Sequence, residues 1–311
     1  MKQTLTRLAL TLPVVWLVVS LVFLLIHLVP GDPVQMMLGE GATPADIAAL
    51  RHDIGLDLPL HQQYFLYWNG VLHGDLGGSI RLHDTVAHLI AARYPYTLAL
   101  TLTALGFGLL LALPAGILAA MRRGRWIDQL LSVVSLFGLS VPGLVLGPVL
   151  ILVFSIELGW LPVSGANSGG SAGIDWRYLV LPSIAMGASL AAILTRMVRT
   201  AMLEELGQDY IRTARAKGLS ETAVVCRHAL PNALVPIITV VGLQFGALLA
   251  GAIVTETIFS WPGIGRLTVS AISNRDYALV QGCLLSIGLT YVLVNLLTDV
   301  VYRWVNPRMR N

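Results

Sequence analysis

The chain has 311 residues, 56% of them hydrophobic and 12% charged, with a formal net charge of +3 and a mean hydropathy of +0.75. Soluble globular domains carry about 25% charged residues, so that class is excluded. The small positive charge sits at the ends of apolar runs, which also excludes nucleic acid as a partner.

Taken in order, the chain begins with an apolar run from Leu8 to Val29, preceded by Lys2 and Arg7. A signal-peptide core is about 7–15 residues long and ends in small residues, so this longer run predicts a retained first membrane helix, residues 1–29. Residues 30–95 form an extramembrane segment with helices of its own. Thr43, Pro44 and Asp46 have the chemistry of a helix start, and Gly55 that of a stop. Pro59 opens a second helix carrying Tyr64, Phe65, Tyr67, Trp68, Val71 and Leu72, a composition suited to the membrane–water interface. A third short helix is expected from Asp84 to about Arg93. Five further spans are expected at about 96–120, 127–155, 179–200, 232–258 and 279–304, forming a core over 96–304 with a tail at 305–311. The fold class is therefore an all-α polytopic membrane protein with six transmembrane helices. NSGGSAG (167–173) reads as a flexible turn. Cys226 and Cys283 lie far apart in the sequence and suggest neither a disulfide nor a metal site.

The longest polar interruption in the C-terminal half runs from Asp209 to Pro236 and reads as two short helices with a hinge. Asp209 suits a helix cap and Gly218 the left-handed residue that closes the helix. Ser220 suits a second cap, and Pro231 and Pro236 mark where the next span begins.

Within the spans, Gly143 and Gly147, flanked by Pro142 and Pro148, interrupt the third span, and Gly242, Gly246 and Ala250 give the fifth a similar small face; such residues suit close helix packing, with bendable helices that rearrange during transport as the alternative. Gln244, Glu256 and Asn295 are candidates for a translocation path, since polar groups in a span usually face a bundle interior or an aqueous cavity. Asp299 is expected to serve as a structural hydrogen-bonding group or a partner for Arg303. Six of the seven histidines lie at or beyond the outer end of the first span, at spacings that match no compact metal site. An intramembrane protease would need a G-x-S-G serine and a facing histidine; Ser189 lacks the final glycine and no histidine lies in mid-span. No G-x-x-x-x-G-K-[ST] loop occurs, so the chain is not expected to hydrolyse ATP.

The loop resembles the EAA loop of ABC-transporter permeases. Thr213, Ala214, Gly218, Leu230 and Pro231 fall on its spacing, while Arg212 stands where that pattern has Glu and His228 where it has Ile. Both departures are similar to the dipeptide/oligopeptide/nickel branch, as are PGDP (30–33), GLDLPLHQQY (55–64), GDLGGS (74–79) and ETIFSWPGIGRL (256–267). The resemblance implies a type I importer permease with a second permease subunit as its heterodimer partner, two cytoplasmic ATPases and a periplasmic solute-binding protein. It further implies that this chain holds no cofactor, ATP and Mg being bound by the ATPases. Coupling to the ATPases would involve Arg212, Thr213, Ala214, Arg215, Lys217, Gly218, Leu230 and Pro231 in loop 209–231. Asp57, Trp261 and Arg266 would dock the binding protein. Di- or oligopeptides, including glutathione-like ones, are the expected cargo, with nickel or a metal chelate as the alternative.

Fourteen of the twenty Lys and Arg residues fall on the side of the termini and of loop 209–236, and six on the other. The positive-inside rule therefore places both termini and this loop in the cytoplasm of a bacterial inner-membrane protein, with segment 30–95 outside. Reporter fusions after Gly218 and at Arg310 are expected to read cytoplasmic, and one near Asp57 periplasmic. An inverted pattern contradicts this topology.

Overall fold

Helix starts and stops follow local backbone chemistry through most of the chain. The computed structural model describes residues 2–28, 33–38, 41–167 and 173–305. Most of PGDP, the centre of NSGGSAG, the tail, and the side chains of Asp299 and Arg303 lie outside the described residues. Two units are defined by backbone proximity, Met1–Thr97 with Pro262–Leu293 and Leu98–Trp261 with Val294–Asn311.

The first unit contains α1 (Lys2–Leu28), α2 (Pro33–Leu38), α3 (Pro44–Asp53) and α4 (Leu60–His73). A two-residue hairpin follows, β1 (Gly78–Ser79) and β2 (Asp84–Thr85), paired antiparallel with Gly78 opposite Thr85. The start of α5 (Val86–Met121), α12 (Ile264–Ser273) and the first part of α13 (Tyr277–Val305) complete it. Thr43 caps α3 in a reciprocal box: its hydroxyl accepts from Asp46 N, and Asp46 accepts from Thr43 N at 3.0 Å. Gly55 turns at φ +70, and α4 ends at left-handed Gly74. Ser79 donates to the buried Asp276 carboxylate at 2.5 Å, and Asp276 caps α13 by accepting from Leu279 N at 3.2 Å.

The expected short helix over 84–93 is not separate. Asp84 lies in β2, and α5 runs unbroken for 36 residues through Pro95. Proline is tolerated inside membrane helices where neighbours hold the chain. Here Tyr94 bonds Thr290, and Thr97 accepts from the Ile264 amide at 2.8 Å.

In the second unit, α6 (Trp126–Ser140) and α7 (Gly143–Leu150) are followed by a π-helical turn (Ile151–Glu157) and by α8 (Trp176–Leu206). Next come α9 (Asp209–Ala216), α10 (Glu221–Ala223), a second π-helical segment (Val224–Ala229) and α11 (Leu230–Ile258). Among the described residues five helices are long and apolar enough to cross a membrane. The third span, read as 127–155 with an interruption at its glycines and prolines, is a pair bent by 97° between Ser140 and Gly143; counted as one broken span it makes the sixth. Val141 is extended (φ −87, ψ 113), as expected of a residue before proline, and Pro142 cannot continue the hydrogen-bond ladder.

Helices α8 and α11 form the most extensive helix pair. At Gly187 of α8 a Cβ would lie 2.6 Å from the Ala104 carbonyl oxygen, so only glycine lets α5 approach this closely. Gly147 and Gly242 also sit in tight contacts, against Ile258 and Thr298 respectively, whereas Ala250 is exposed. Arg199 of α8 grips the buried Asp128 of α6 through two bonds, Nε to Oδ1 at 2.6 Å and Nη2 to Oδ2 at 2.9 Å. The Gly124 amide adds a third at 2.9 Å. Arg199→Ala is expected to cost about 3 kcal/mol, because it strands a buried carboxylate. Denaturant unfolding in detergent measures this, and the double change Asp128→Leu with Arg199→Leu is expected to recover most of the loss.

Candidate functional site: the loop between α8 and α11

Gln208, extended at φ −76 and ψ 153, occupies the cap of α9 and places Asp209 in its first turn, one position inside the cap expected of it. There its carboxylate still faces the positive helix end. Thr213 donates to the Asp209 carbonyl at 3.1 Å. The helix closes with Gly218 N to Arg215 O at 2.9 Å and Leu219 N to Ala214 O at 3.4 Å. Gly218 has φ +78 and open space where a Cβ would stand. Its requirement for glycine is therefore conformational rather than steric. Ser220 caps the next turn, accepting from Ala223 N at 3.4 Å.

The second loop helix was expected to stand apart from the fifth span, but Glu221–Ile258 is continuous through the π-helical segment. Pro231 explains this, since it has no N–H for the carbonyl of Arg227 and loosens the ladder into wider turns without ending it.

The two faces of α9 differ sharply. Ile211 (0% exposed) and Ala214 (6%) point into an apolar cluster with Val198 and Met202 of α8, Val224, Val225 and Ala229 of the π segment, and Ala233 and Ile237 of α11. Leu230 is half-buried against the same cluster. Ala214, expected on a face presented to an ATPase, is thus packed inward; at i and i+3 with Ile211 it belongs to the buried stripe. Arg212, Thr213, Arg215, Lys217, Gly218, Leu219 and Pro231 are exposed.

Arg215, expected to reach acidic groups on a partner, bridges the Gly218 turn to Glu221 at 2.7 and 3.3 Å. Arg212 lies 3.5 Å from Asp209, and both are largely exposed. Sequence reasoning missed a further knot. The Tyr210 hydroxyl bonds Glu205 at the end of α8, and Asn232 at the start of α11 donates to it at 3.0 Å. Burial, then the Glu205 carboxylate, raise the Tyr210 phenol above its ordinary pKa.

The candidate path residues separate. Gln244 and Ser189 line a cavity of about 350 Å³ between α7, α8 and α11, together with Gly143, Ala185 and Thr255. Asn295 is half-buried. Glu256, expected to face cargo, is fully buried, and its carbonyl accepts from the Trp261 amide at 2.8 Å. Trp261, expected at a docking surface, is also fully buried; a large apolar ring there adds packing rather than a contact surface. Asp57 and Arg266 are exposed. His52 bonds Asp57 at 2.7 Å, which lowers the Asp57 pKa and raises that of His52.

This architecture, apolar spans joined by a polar loop folded onto the ends of two of them, is that of a polytopic helical membrane protein. Residues 1–101 match the model of the N-terminal segment of binding-protein-dependent transport system membrane components, and residues 112–311 match that of the inner membrane component itself. The glutathione transport system permease proteins GsiC of Escherichia coli K12 and Salmonella paratyphi A are each 43% identical to the chain, covering 100% of it and 99% of the relative. In fold it is similar to the MetNI methionine ABC transporter in an inward-facing conformation (TM-score 0.56, 20% identity, 70% of this chain and 96% of the other). A similar likeness holds for an amino acid ABC transporter with histidines (TM-score 0.52, 17% identity, 71% and 94%). The chain belongs to the family of binding-protein-dependent transport system inner membrane components. It is a multi-pass inner-membrane permease, not an enzyme, and works with a solute-binding protein and a separate ATPase.

Burying an Ile side chain contributes about 1.5–3 kcal/mol, whereas an exposed ion pair contributes about 0–1 kcal/mol. Ile211→Ala is therefore expected to loosen α9 measurably and Arg215→Ala hardly at all. Amide hydrogen exchange over 209–216 measures the difference; equal protection in both variants contradicts the packing account.

Proposed function

We propose that the chain is one half of a heterodimeric permease that imports di- or oligopeptides, glutathione-like ones among them, driven by two cytoplasmic ATPases. The observation that carries the coupling role is the two-faced α9: Ile211 and Ala214 are locked into the ends of α8 and α11, while Arg212, Thr213, Lys217 and Gly218 face outward. A partner pressing on the outer face displaces the helices behind it, because apolar packing resists relative sliding. Arg212 and Lys217 suit acidic groups on an ATPase. Arg215 keeps the turn at Gly218 closed, and Leu230 and Pro231 hold the return to the span. ATP and Mg reside on the ATPases, and no cofactor is assigned to this chain. Both termini are cytoplasmic in this reading, and exposed Asp57 and Arg266 meet the loaded solute-binding protein outside. The peptide cargo is supported by the 43% identity to permeases of glutathione transport systems. Differential binding of ATP across the transport states supplies the work.

Gly218→Val tests the coupling role. Forcing a β-branched residue to positive φ costs about 1–2 kcal/mol or more and re-aims the turn, while the spans are unchanged. In proteoliposomes holding the whole complex with its solute-binding protein, uptake of labelled glutathione is expected to fall about tenfold while ATP hydrolysis persists, a shift of about 1.4 kcal/mol in coupling. Normal uptake by the variant rejects the seated-loop reading.

A further inference from the structure

The break in the third span leaves a space the family relationship does not account for. Between α7, α8 and α11 lies the cavity of about 350 Å³, within the range of small-molecule sites. Its lining holds no Asp, Glu, Lys or Arg. Gly143, Ala185 and Gly251 keep the walls low, while Gln244, Ser189 and Thr255 supply the polar groups. The Gln244 side chain, midway along a membrane-spanning helix, makes no hydrogen bond among the described residues. Among the described residues the Ser189 hydroxyl reaches only the Met186 carbonyl, at 3.5 Å. An amide without a partner at that depth is costly, so its position implies an occupant that completes its bonds.

We propose that this cavity is a cargo-contact site that receives an uncharged, amide-bearing part of a peptide, with Gln244 as the specificity-determining residue. A carboxamide offers both an acceptor and two N–H donors and so can pair with either half of a peptide bond, whereas a carboxylate can only accept. The uncharged walls disfavour a carboxylate or an ammonium at the same place, because desolvating a charge without a partner is more costly still. The charged ends of a peptide must then lie outside this space. The proposal rests on the peptide reading of the preceding subsection.

The test uses the complete complex with its solute-binding protein in liposomes. The probes are labelled glutathione, labelled Ala-Ala and the ester-linked analogue of Ala-Ala. The unmodified complex is expected to prefer the amide over the ester. In Gln244→Leu that preference is expected to shrink about 3- to 10-fold, the worth of one hydrogen bond; Gln244→Asn is expected to restore part of it. An unchanged amide-to-ester ratio overturns the proposal. Loss of the second permease subunit from purified Gln244→Leu complex also overturns it, since the cavity would then seat a subunit. If the unmodified complex moves neither peptide probe, the peptide reading fails and this proposal with it. A cavity failure alone leaves uptake dependent on Gly218.

Discussion

Burial of Ile211 and Ala214 against the adjoining ends of α8 and α11 is the contact that joins the loop to the membrane helices, and the proposed coupling role depends on it. Without it, α9 would be a polar helix on a flexible tether, and pushing on it would displace only the tether. With it, the loop is continuous with the apolar packing of two membrane helices. The polar contacts around it are individually weak, because Arg215–Glu221 and Arg212–Asp209 are solvent-exposed and screened. They set the angle of the turn, and apolar burial holds the turn to the bundle. The Tyr210 hydroxyl adds direction, joining Glu205 and Asn232 and so tying both helix ends to one ring.

Rigidity at the loop is matched by close packing higher in the same unit. Gly187 brings the backbones of α5 and α8 together, Thr103 and Ser183 bond at 2.7 Å near that crossing, and the Asp128–Arg199 pair binds α6 to α8. The broken third span departs from this packing. Pro142 leaves α6 and α7 at a steep angle, and the cavity with Gln244 lies beside the break. One unit therefore holds a stiff connection from loop to spans and an uncharged space with unmet hydrogen-bonding capacity.

Much of this was legible in the sequence wherever local chemistry decides. The apolar runs located the membrane helices, although α5 and the helix ending at Ile258 begin about ten residues before the expected starts; Thr43 and Asp46 formed the expected capping box, and Gly218 took the positive φ that its place in the loop implied. Prolines were the least reliable guide. Pro231 was read as a boundary, yet the helix continues past it because widened turns absorb the lost bond, and α5 likewise runs unbroken through Pro95. Pro142 does end its helix, where Val141 before it is extended. Sequence also cannot tell which face of a short amphipathic helix turns inward when both neighbours belong to the same chain. Ala214 was therefore placed outside, and Trp261 and Glu256 were expected at exposed or path-facing positions although tertiary packing buries both. Tyr210 carried no signal, because its partners lie on two other elements.

The central claim, that α9 moves as one body with the membrane helix α8, is tested most directly by a spin-label distance between Lys217 and Arg196, both exposed. Pulsed electron resonance would follow this distance in the complete complex without nucleotide and with ATP trapped in the ATPases. A single distance, unchanged between the two states, is the predicted result. A distance that shifts or broadens on ATP binding would show the loop moving independently of the helix and would contradict the account.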